Sequence, residues 1–146
     1  MKQSRFTPRC LTSLGLAAVL ALCLTTTLRS QDAGDGILNA IRPQLKDPSK
    51  PFTLVIRLKA KDGSAEAFES AFAAAMKATR KEKGCLAYDL NRLADGSSEY
   101  VVYEKWASYD AIKTHIVTPY IVKLLGQLPQ LTEGAPKIDI LTPAAE

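Results

Sequence analysis

The chain has 146 residues, of which 19 are basic and 15 acidic, and this length allows one domain plus an appendage. Four basic residues precede residue 31, where no acidic residue occurs, so the rest of the chain carries 15 of each sign. That balance excludes a composition argument for nucleic-acid binding, which requires a basic surface.

The first 30 residues have the features of an export signal. Three basic residues come first, and residues 14–24 form an apolar run that is too short to cross a bilayer. Small residues follow, without a clear Ala-x-Ala cleavage sequence. We therefore predict a signal peptide over residues 1–30 and export to the periplasm or the medium. The alternative is an uncleaved signal anchor, which would hold the protein at the membrane.

The positions of the cysteines predict an exported domain without a disulfide. Cys10 and Cys23 would leave with the signal peptide, so Cys85 would be alone and no intrachain disulfide could form. Small exported domains commonly depend on disulfides. We therefore expect a partner subunit to supply part of the stability.

Residues 31–51 are predicted to be a linker. They contain three prolines and two glycines, which interrupt regular structure. Ile37, Leu38 and Ile41 would form at most one short amphipathic turn. We expect this stretch to act as a tether or edge cover and assign it no chemistry.

The folded domain is predicted over residues 52–142, with residues 143–146 as a tail. Its elements, in chain order, are a strand at 52–60, a helix capped by Ser64 and ended near Lys83 by a left-handed Gly84, strands at 85–93 and 99–106, a helix capped by Ser108, a helix that starts at Thr118-Pro119 and ends near Gly126 and Pro129, and a strand at 137–142.

This order is the split β-α-β arrangement of α+β, ferredoxin-like folds. The helices would cover one face of the sheet and leave the other bare. A domain of this size buries only about 60–65% of its chain surface. We therefore predict a homodimer in which the bare faces of two copies pack together.

Four stretches resemble the antibiotic biosynthesis monooxygenase (ABM) family of dimeric α/β barrels: residues 52–60, Gly84-Cys85-Leu86-x-Tyr88, Tyr103-Glu104-Lys105-Trp106, and His115-Ile-Val-Thr118-Pro119-Tyr120. The resemblance implies a small hydrophobic pocket between sheet and helices. The better-known activity of the family is oxygenation of quinols or polycyclic phenols without metal or flavin. Other branches degrade haem, isomerise a sugar-derived phosphate or have no known activity, so the fold constrains function poorly.

Two departures from the family pattern bear on function. Members usually carry a second histidine where this chain has Tyr120. The haem-degrading branch uses an Asn and a His at positions that fall near Ile56 and Leu125 here, and neither side chain can bind iron. We therefore expect no haem and no other cofactor. One histidine and one mature cysteine are too few for a common metal site.

His115 is the first candidate for catalysis. A neutral imidazole with a pKa of about 6.5 would accept the proton of a phenol at neutral pH. The alternative is a helix residue or spacer near the pocket mouth. Trp106 would stack on a flat substrate and donate a hydrogen bond, although large aromatics at strand ends are more often packing residues.

Several further side chains are candidates for binding substrate. Tyr120 and Tyr103 would donate to a developing oxyanion. Tyr88 and Asn91 would contact the substrate, although strand tyrosines are usually structural. Alternation along the strand places Trp106 and Tyr103 on opposite faces, so both line one pocket only if a bulge intervenes.

Two carboxylates in the hairpin, Asp89 and Glu104, invite interpretation as a paired site. We interpret them instead as solvated groups or as partners of Lys105 and Arg92.

Three functions follow from these observations. The first is an exported monooxygenase that oxidises a small phenol or quinol with dioxygen, with His115 as base. The second is a non-catalytic module that binds a small apolar ligand or mediates dimerisation. The third is an isomerase or decomposition enzyme of the same fold. Dioxygen uptake separates the first from the others, and product formed without oxygen identifies the third.

Overall fold

The computed structural model describes residues 33–144. The elements in chain order are α1 (residues 33–41), a 3-10 turn (Arg42–Gln44), β1 (Phe52–Ala60), α2 (Ala65–Thr79), β2 (Cys85–Arg92), β3 (Glu99–Trp106), α3 (Tyr109–Ile116), α4 (Pro119–Leu131) and β4 (Thr132–Leu141). The strands form one antiparallel sheet in the order β2-β3-β1-β4. This confirms the predicted α+β, ferredoxin-like fold. Within residues 33–144, no helix is long and apolar enough to cross a membrane.

The two central strands, β1 and β3, supply the core of the sheet. Alternate residues of each strand face the helices and are buried: Phe52, Leu54, Leu58, Ala60, Tyr100, Val102, Glu104 and Trp106. The period-two pattern predicted this division, because successive side chains of a strand point to opposite faces. The other face of both strands is more exposed.

Strand β2 begins with a bulge that the alternation did not predict. Cys85 lies opposite Trp106 and Ala87 opposite Lys105, so Leu86 is an extra residue in the ladder. Cys85 therefore faces the helices with Tyr88, whereas Leu86 is 52% exposed. Simple alternation would place Leu86 on the face of Tyr88, and the bulge is the reason that it does not lie there.

Helix α2 ends earlier than predicted, and Gly84 has a different role. The helix stops at Thr79, and Gly84 is not among the described glycines with positive φ, which are Gly63, Gly96 and Gly134. A Cβ atom on Gly84 would lie 2.3 Å from Cβ of Ala111. Gly84 is therefore required because α3 packs directly against this turn, and not because it caps the helix.

A short junction joins α3 to α4. Ser108 caps α3 as predicted, accepting a hydrogen bond from the Ala111 N–H at 3.3 Å. At the other end, Thr118 Oγ1 donates to the His115 carbonyl at 2.8 Å, and Pro119 begins α4. These contacts fix the last turn of α3, which carries the His115 side chain.

Helix α4 ends later than predicted, and strand β4 begins earlier than predicted. Pro129 sits in the last turn of a helix that continues to Leu131, and β4 begins at once with Thr132. A register shift in β4 opposite Arg57–Lys59, with Gly134 at φ 65°, accommodates Pro136. Pro129 and Pro136 therefore mark a helix end and a bulge, and the strand begins five residues before the predicted residue 137.

The stretch interpreted as a linker is mostly helical and packs on the domain. Ile41 is fully buried and Leu45 nearly so. The Tyr109 backbone N–H donates to the Pro48 carbonyl at 2.8 Å, and its hydroxyl donates to the Leu38 carbonyl at 3.4 Å. Residues 33–48 therefore cover α3.

Candidate functional site

A cavity of about 70 Å³ lies between the inner face of the sheet and the helices. Its wall is formed by Ile37, Leu54, Ile56, Leu58, Phe72, Tyr88, Val102, Glu104, Ile112, His115, Ile116, Ile121, Leu124, Leu125, Leu128, Pro136 and Ile138. Tyr88, Glu104 and His115 are the polar members of this set, which otherwise consists of hydrocarbon side chains. An apolar cavity with a few polar groups is the usual form of a small-molecule site.

His115 is buried at the end of α3 and is held by Glu82. Its Nδ1 atom lies 2.8 Å from Oε1 of Glu82, and the Tyr120 hydroxyl donates to the same oxygen. An ionised carboxylate only accepts hydrogen bonds, so Nδ1 carries the proton. Nε2, on the other side of the ring from Glu82, is then the unprotonated nitrogen.

Burial lowers the pKa of His115 below its ordinary value, because desolvation disfavours the imidazolium, while Glu82 opposes this effect. The ring is therefore neutral at neutral pH. A neutral ring oriented by a carboxylate is the arrangement that makes a histidine an effective base.

Glu104 and Trp106 form a second hydrogen-bonded group beside His115. Trp106 Nε1 donates to Oε2 of Glu104 at 2.9 Å, and the Tyr88 hydroxyl bonds to the same carboxylate. The Trp106 and His115 ring centroids are 4.5 Å apart. Burial raises the pKa of Glu104 to about 7, although the two hydrogen bonds favour its ionised form.

Three of the predicted site residues converge. His115 and Tyr88 line the cavity, and Trp106 packs against both rings. Tyr120 lies behind His115, where it bonds to Glu82 and does not reach the cavity wall. Its position is suited to holding Glu82 and not to contacting a ligand.

Two predicted site residues lie elsewhere. Tyr103 pairs with Val55 of β1 and Asp89 of β2 on the outer face of the sheet, and Asn91 shares that face. Neither residue lines the cavity, because no bulge occurs in β3 to bring Tyr103 to the face of Trp106.

Two carboxylates of the site were misread or missed. The interpretation of Glu104 as solvated is wrong, although the alternation of β3 already placed it on the face of Trp106. Asp89 is paired, but with Arg80 at 2.6 Å. Glu82 was not predicted at all. Its only signal was its position three residues after Thr79, which is the last residue of α2 and is buried.

Ile56 and Leu125, the positions compared with the haem-degrading branch, both line the cavity and present only hydrocarbon to it. Among residues 33–144, no cluster of three or more His, Cys, Asp or Glu side chains is placed to hold a metal ion. Burial raises the pKa of the Cys85 thiol to about 11, so it is not a reactive thiolate at neutral pH.

The family model described as "Antibiotic biosynthesis monooxygenase" matches residues 51–124. The chain belongs to this family. It is 28% identical over 98 residues to Rv0793 of Mycobacterium tuberculosis, covering 67% of this chain and 96% of that protein. The match confirms the resemblance inferred from the four motif stretches.

Solved structures agree with the family assignment. The structure of Rv0793 superposes with a TM-score of 0.62 over 66% of this chain and 98% of its own. PA3566 of Pseudomonas aeruginosa is 32% identical and has a TM-score of 0.62 over 67% of this chain and 98% of its own. Helix α1, which brings Ile37 to the cavity, precedes the range matched by the ABM model.

Proposed function

We propose that this ABM-family protein is a cofactor-independent monooxygenase that oxidises a small phenol or quinol with dioxygen. The observation that supports it most is the position of His115. The ring lines an apolar cavity, its Nδ1 is bound to Glu82, and Nε2 is the nitrogen that this contact leaves unprotonated. A base placed in this way can accept the proton of a buried phenol.

The proposed reaction needs no external reductant. His115 Nε2 takes the phenolic proton, and the phenolate passes electrons to dioxygen. One oxygen atom becomes a carbonyl on a ring carbon that carried hydrogen. The other leaves as water, together with that ring hydrogen and the phenolic proton. A phenol and dioxygen thus give a quinone and water.

Oxygen uptake with a panel of hydroquinones and naphthols tests this proposal. We expect turnover by the wild type and a loss of about 100-fold or more in His115→Ala, the size typical of a lost general base. Lys113→Ala, an exposed change on the same helix, is the matched control and should retain activity. Wild-type rates in His115→Ala would exclude His115 as the base.

Ligand binding without turnover is the second candidate, and the almost wholly apolar wall of the cavity favours it. A cavity of about 150 Å³ is known to bind benzene, whereas this one measures about 70 Å³, so a ring enters only if the wall moves. Thermal stabilisation by phenols without oxygen uptake would support this function. Product formed under anaerobic conditions would instead indicate an isomerase.

We also propose that the protein is a homodimer formed through the outer face of the sheet. Tyr103 and Leu141 are exposed there, and Val55 and Val101 are only partly buried. Cross-strand pairs such as Arg57–Asp139 and Lys59–Glu133 neutralise its charges. A face that combines Val, Tyr and Leu side chains with cross-strand ion pairs can pack against a second copy of itself.

Export remains a further proposal, supported by the composition of residues 1–30, which lie outside the described residues. The mass of the protein recovered from the periplasm or medium tests it. A mass that includes residues 1–30 would contradict a cleaved signal peptide.

A further inference from the structure

Glu104 is a buried carboxylate in the wall of the cavity. Strand β3 places it between Val102 and Trp106 on the face that meets the helices, and it is almost completely buried. Glutamate is rarely buried to this extent unless it is paired with a cation. An apolar residue of similar size would fill the same space at lower cost, so packing alone does not explain this side chain.

The partners of Glu104 are hydrogen-bond donors without charge. Trp106 Nε1 donates to Oε2 at 2.9 Å, and the Tyr88 hydroxyl donates to the carboxylate. None of the cavity-lining residues, all within the described range 33–144, is Lys or Arg. Two donors leave further lone pairs of the carboxylate available to a ligand.

The titratable groups around Glu104 are neutral or negative. Strand β2 contributes Tyr88 and Cys85, the turn after α2 contributes Glu82, and α3 contributes neutral His115. The parts of β1, β4, α1, α2 and α4 that line the cavity are apolar. A negative group entering this cavity would meet Glu104 with Glu82 behind it, and no cation to offset them.

We propose that Glu104 determines the specificity of the cavity by binding a hydroxyl group of a neutral, apolar ligand and excluding ligands that carry a carboxylate or phosphate. The inference rests on the proposed function in taking the same cavity as the ligand site. It does not require turnover. As an anion Glu104 accepts the ligand's O–H bond, and as an acid it donates to the hydroxyl oxygen.

Trp106 provides a direct measurement. It is the only tryptophan in the chain, its indole N–H is bonded to Glu104, and its ring packs on His115. Its fluorescence therefore reports both the ionisation of Glu104 and the entry of a ligand. Phenol and benzoate are suitable probes, because they share a ring but differ in charge at neutral pH.

The experiment measures binding of phenol and benzoate to the wild type and Glu104→Gln by Trp106 fluorescence, at about pH 6 and about pH 8. We expect phenol to bind the wild type at least about tenfold more tightly than benzoate, with a larger ratio at the higher pH, where Glu104 is ionised. In Glu104→Gln the ratio should fall and lose its pH dependence. Equal binding of the two probes, binding of neither, or an unchanged ratio in the variant would overturn the proposal.

A second measurement needs no Glu104 variant and covers the case in which Glu104→Gln does not fold. In the free protein, we expect the fluorescence of Trp106 to titrate in the wild type and in His115→Asn. The midpoint should move to higher pH in Tyr88→Phe, which removes a donor that favours the ionised carboxylate. If the titration is lost in His115→Asn and its midpoint is unchanged in Tyr88→Phe, the result would contradict the role of Glu104.

The two proposals fail separately. Discrimination between phenol and benzoate without oxygen uptake would remove the proposed reaction and retain the role of Glu104. Oxygen uptake without that discrimination would retain the proposed reaction and remove the role of Glu104.

Discussion

Glu82 holds the His115 ring in place through a single carboxylate oxygen atom. Its Oε1 accepts hydrogen bonds from both Nδ1 of His115 and the Tyr120 hydroxyl, while Glu82 itself does not line the cavity. Glu82 is therefore a positioning residue. It orients the ring, keeps the proton on Nδ1 and leaves Nε2 free to act.

Replacing Glu82 by Gln tests this role. The charge of Glu82 raises the pKa of His115, so its removal lowers that pKa further. The acid limb of the kcat/KM profile should shift to lower pH, because a base acts only when unprotonated. The plateau should fall by roughly 10- to 100-fold, as when a partner that orients a histidine is lost. Glu66→Gln, an exposed change in α2, should alter neither; an unshifted limb in Glu82→Gln would contradict the assignment.

Glu104 should make the folded protein less stable as pH rises. Its pKa increases from 4.5 in the unfolded chain to about 7 on folding, so the folded form binds the proton more tightly. The resulting stability is present below about pH 4.5 and is lost as pH rises through 7. His115 has the opposite effect: its pKa is lowered, and its contribution is lost as pH falls below 6.5.

Urea unfolding at about pH 5 and about pH 8 isolates the Glu104 effect. Between these pH values the free energy of unfolding of the wild type should fall by on the order of 2 to 3 kcal/mol more than that of Glu104→Gln, at about 1.4 kcal/mol per pKa unit. The contribution of His115 is common to both proteins and cancels in the difference. Parallel pH profiles for the two proteins would show that the pKa of Glu104 is not raised.

At the level of elements, strand alternation and helical spacing predicted which helices and strands exist better than they predicted where each one begins and ends. The inner faces of β1 and β3 followed from period two, because both strands are regular along their buried lengths. Leu86 broke that pattern in β2, since a bulge depends on how the chain meets its neighbours and has no residue signature here. The prolines of α4 and β4 were misleading for a related reason: a proline in a last helical turn or a bulge sacrifices few hydrogen bonds.

Gly84 separates two explanations of a glycine after a helix. If its role is to let α3 approach, Gly84→Ala should destabilise the protein by about 1–3 kcal/mol through overpacking against Ala111. Gly36→Ala in α1 is the matched control. A Cβ there meets nothing within 4 Å, and the change should stabilise a helix by up to about 1 kcal/mol. Thermal unfolding measures both.

A double variant completes that test. Ala111→Gly removes the atom that the new Cβ would meet, so it should recover part of the loss caused by Gly84→Ala. Additive effects of the two changes would indicate that they do not interact.

For the whole molecule, local patterns predicted the domain but only part of the site. Trp106 and His115 belong to adjacent elements joined by a capped turn, so their proximity followed from short connections. Glu82 reaches His115 across 33 positions of sequence, which no local period encodes. The same holds for α1, whose Ile37 completes a cavity formed mainly by residues much later in the chain.

The proposed dimer makes its own prediction at this scale. Tyr103 is 37% exposed on the outer face of the sheet, so a charge there should cost an isolated subunit little. In a dimer that buries this face, Tyr103→Asp would bury an additional carboxylate without a designed partner, and its symmetric copy would lie in the same interface. Light scattering should therefore show the wild type as a dimer and Tyr103→Asp as a monomer at micromolar concentration.

Val117→Asp is the matched control for this change, because Val117 is 66% exposed but lies at the end of α3, away from the sheet. It should remain a dimer. Retained Trp106 fluorescence in Tyr103→Asp would show that the monomer is folded, since the indole lies on the opposite face of β3. A monomeric wild type, or a Tyr103→Asp protein that stays dimeric, would mean that the outer face is not the subunit contact.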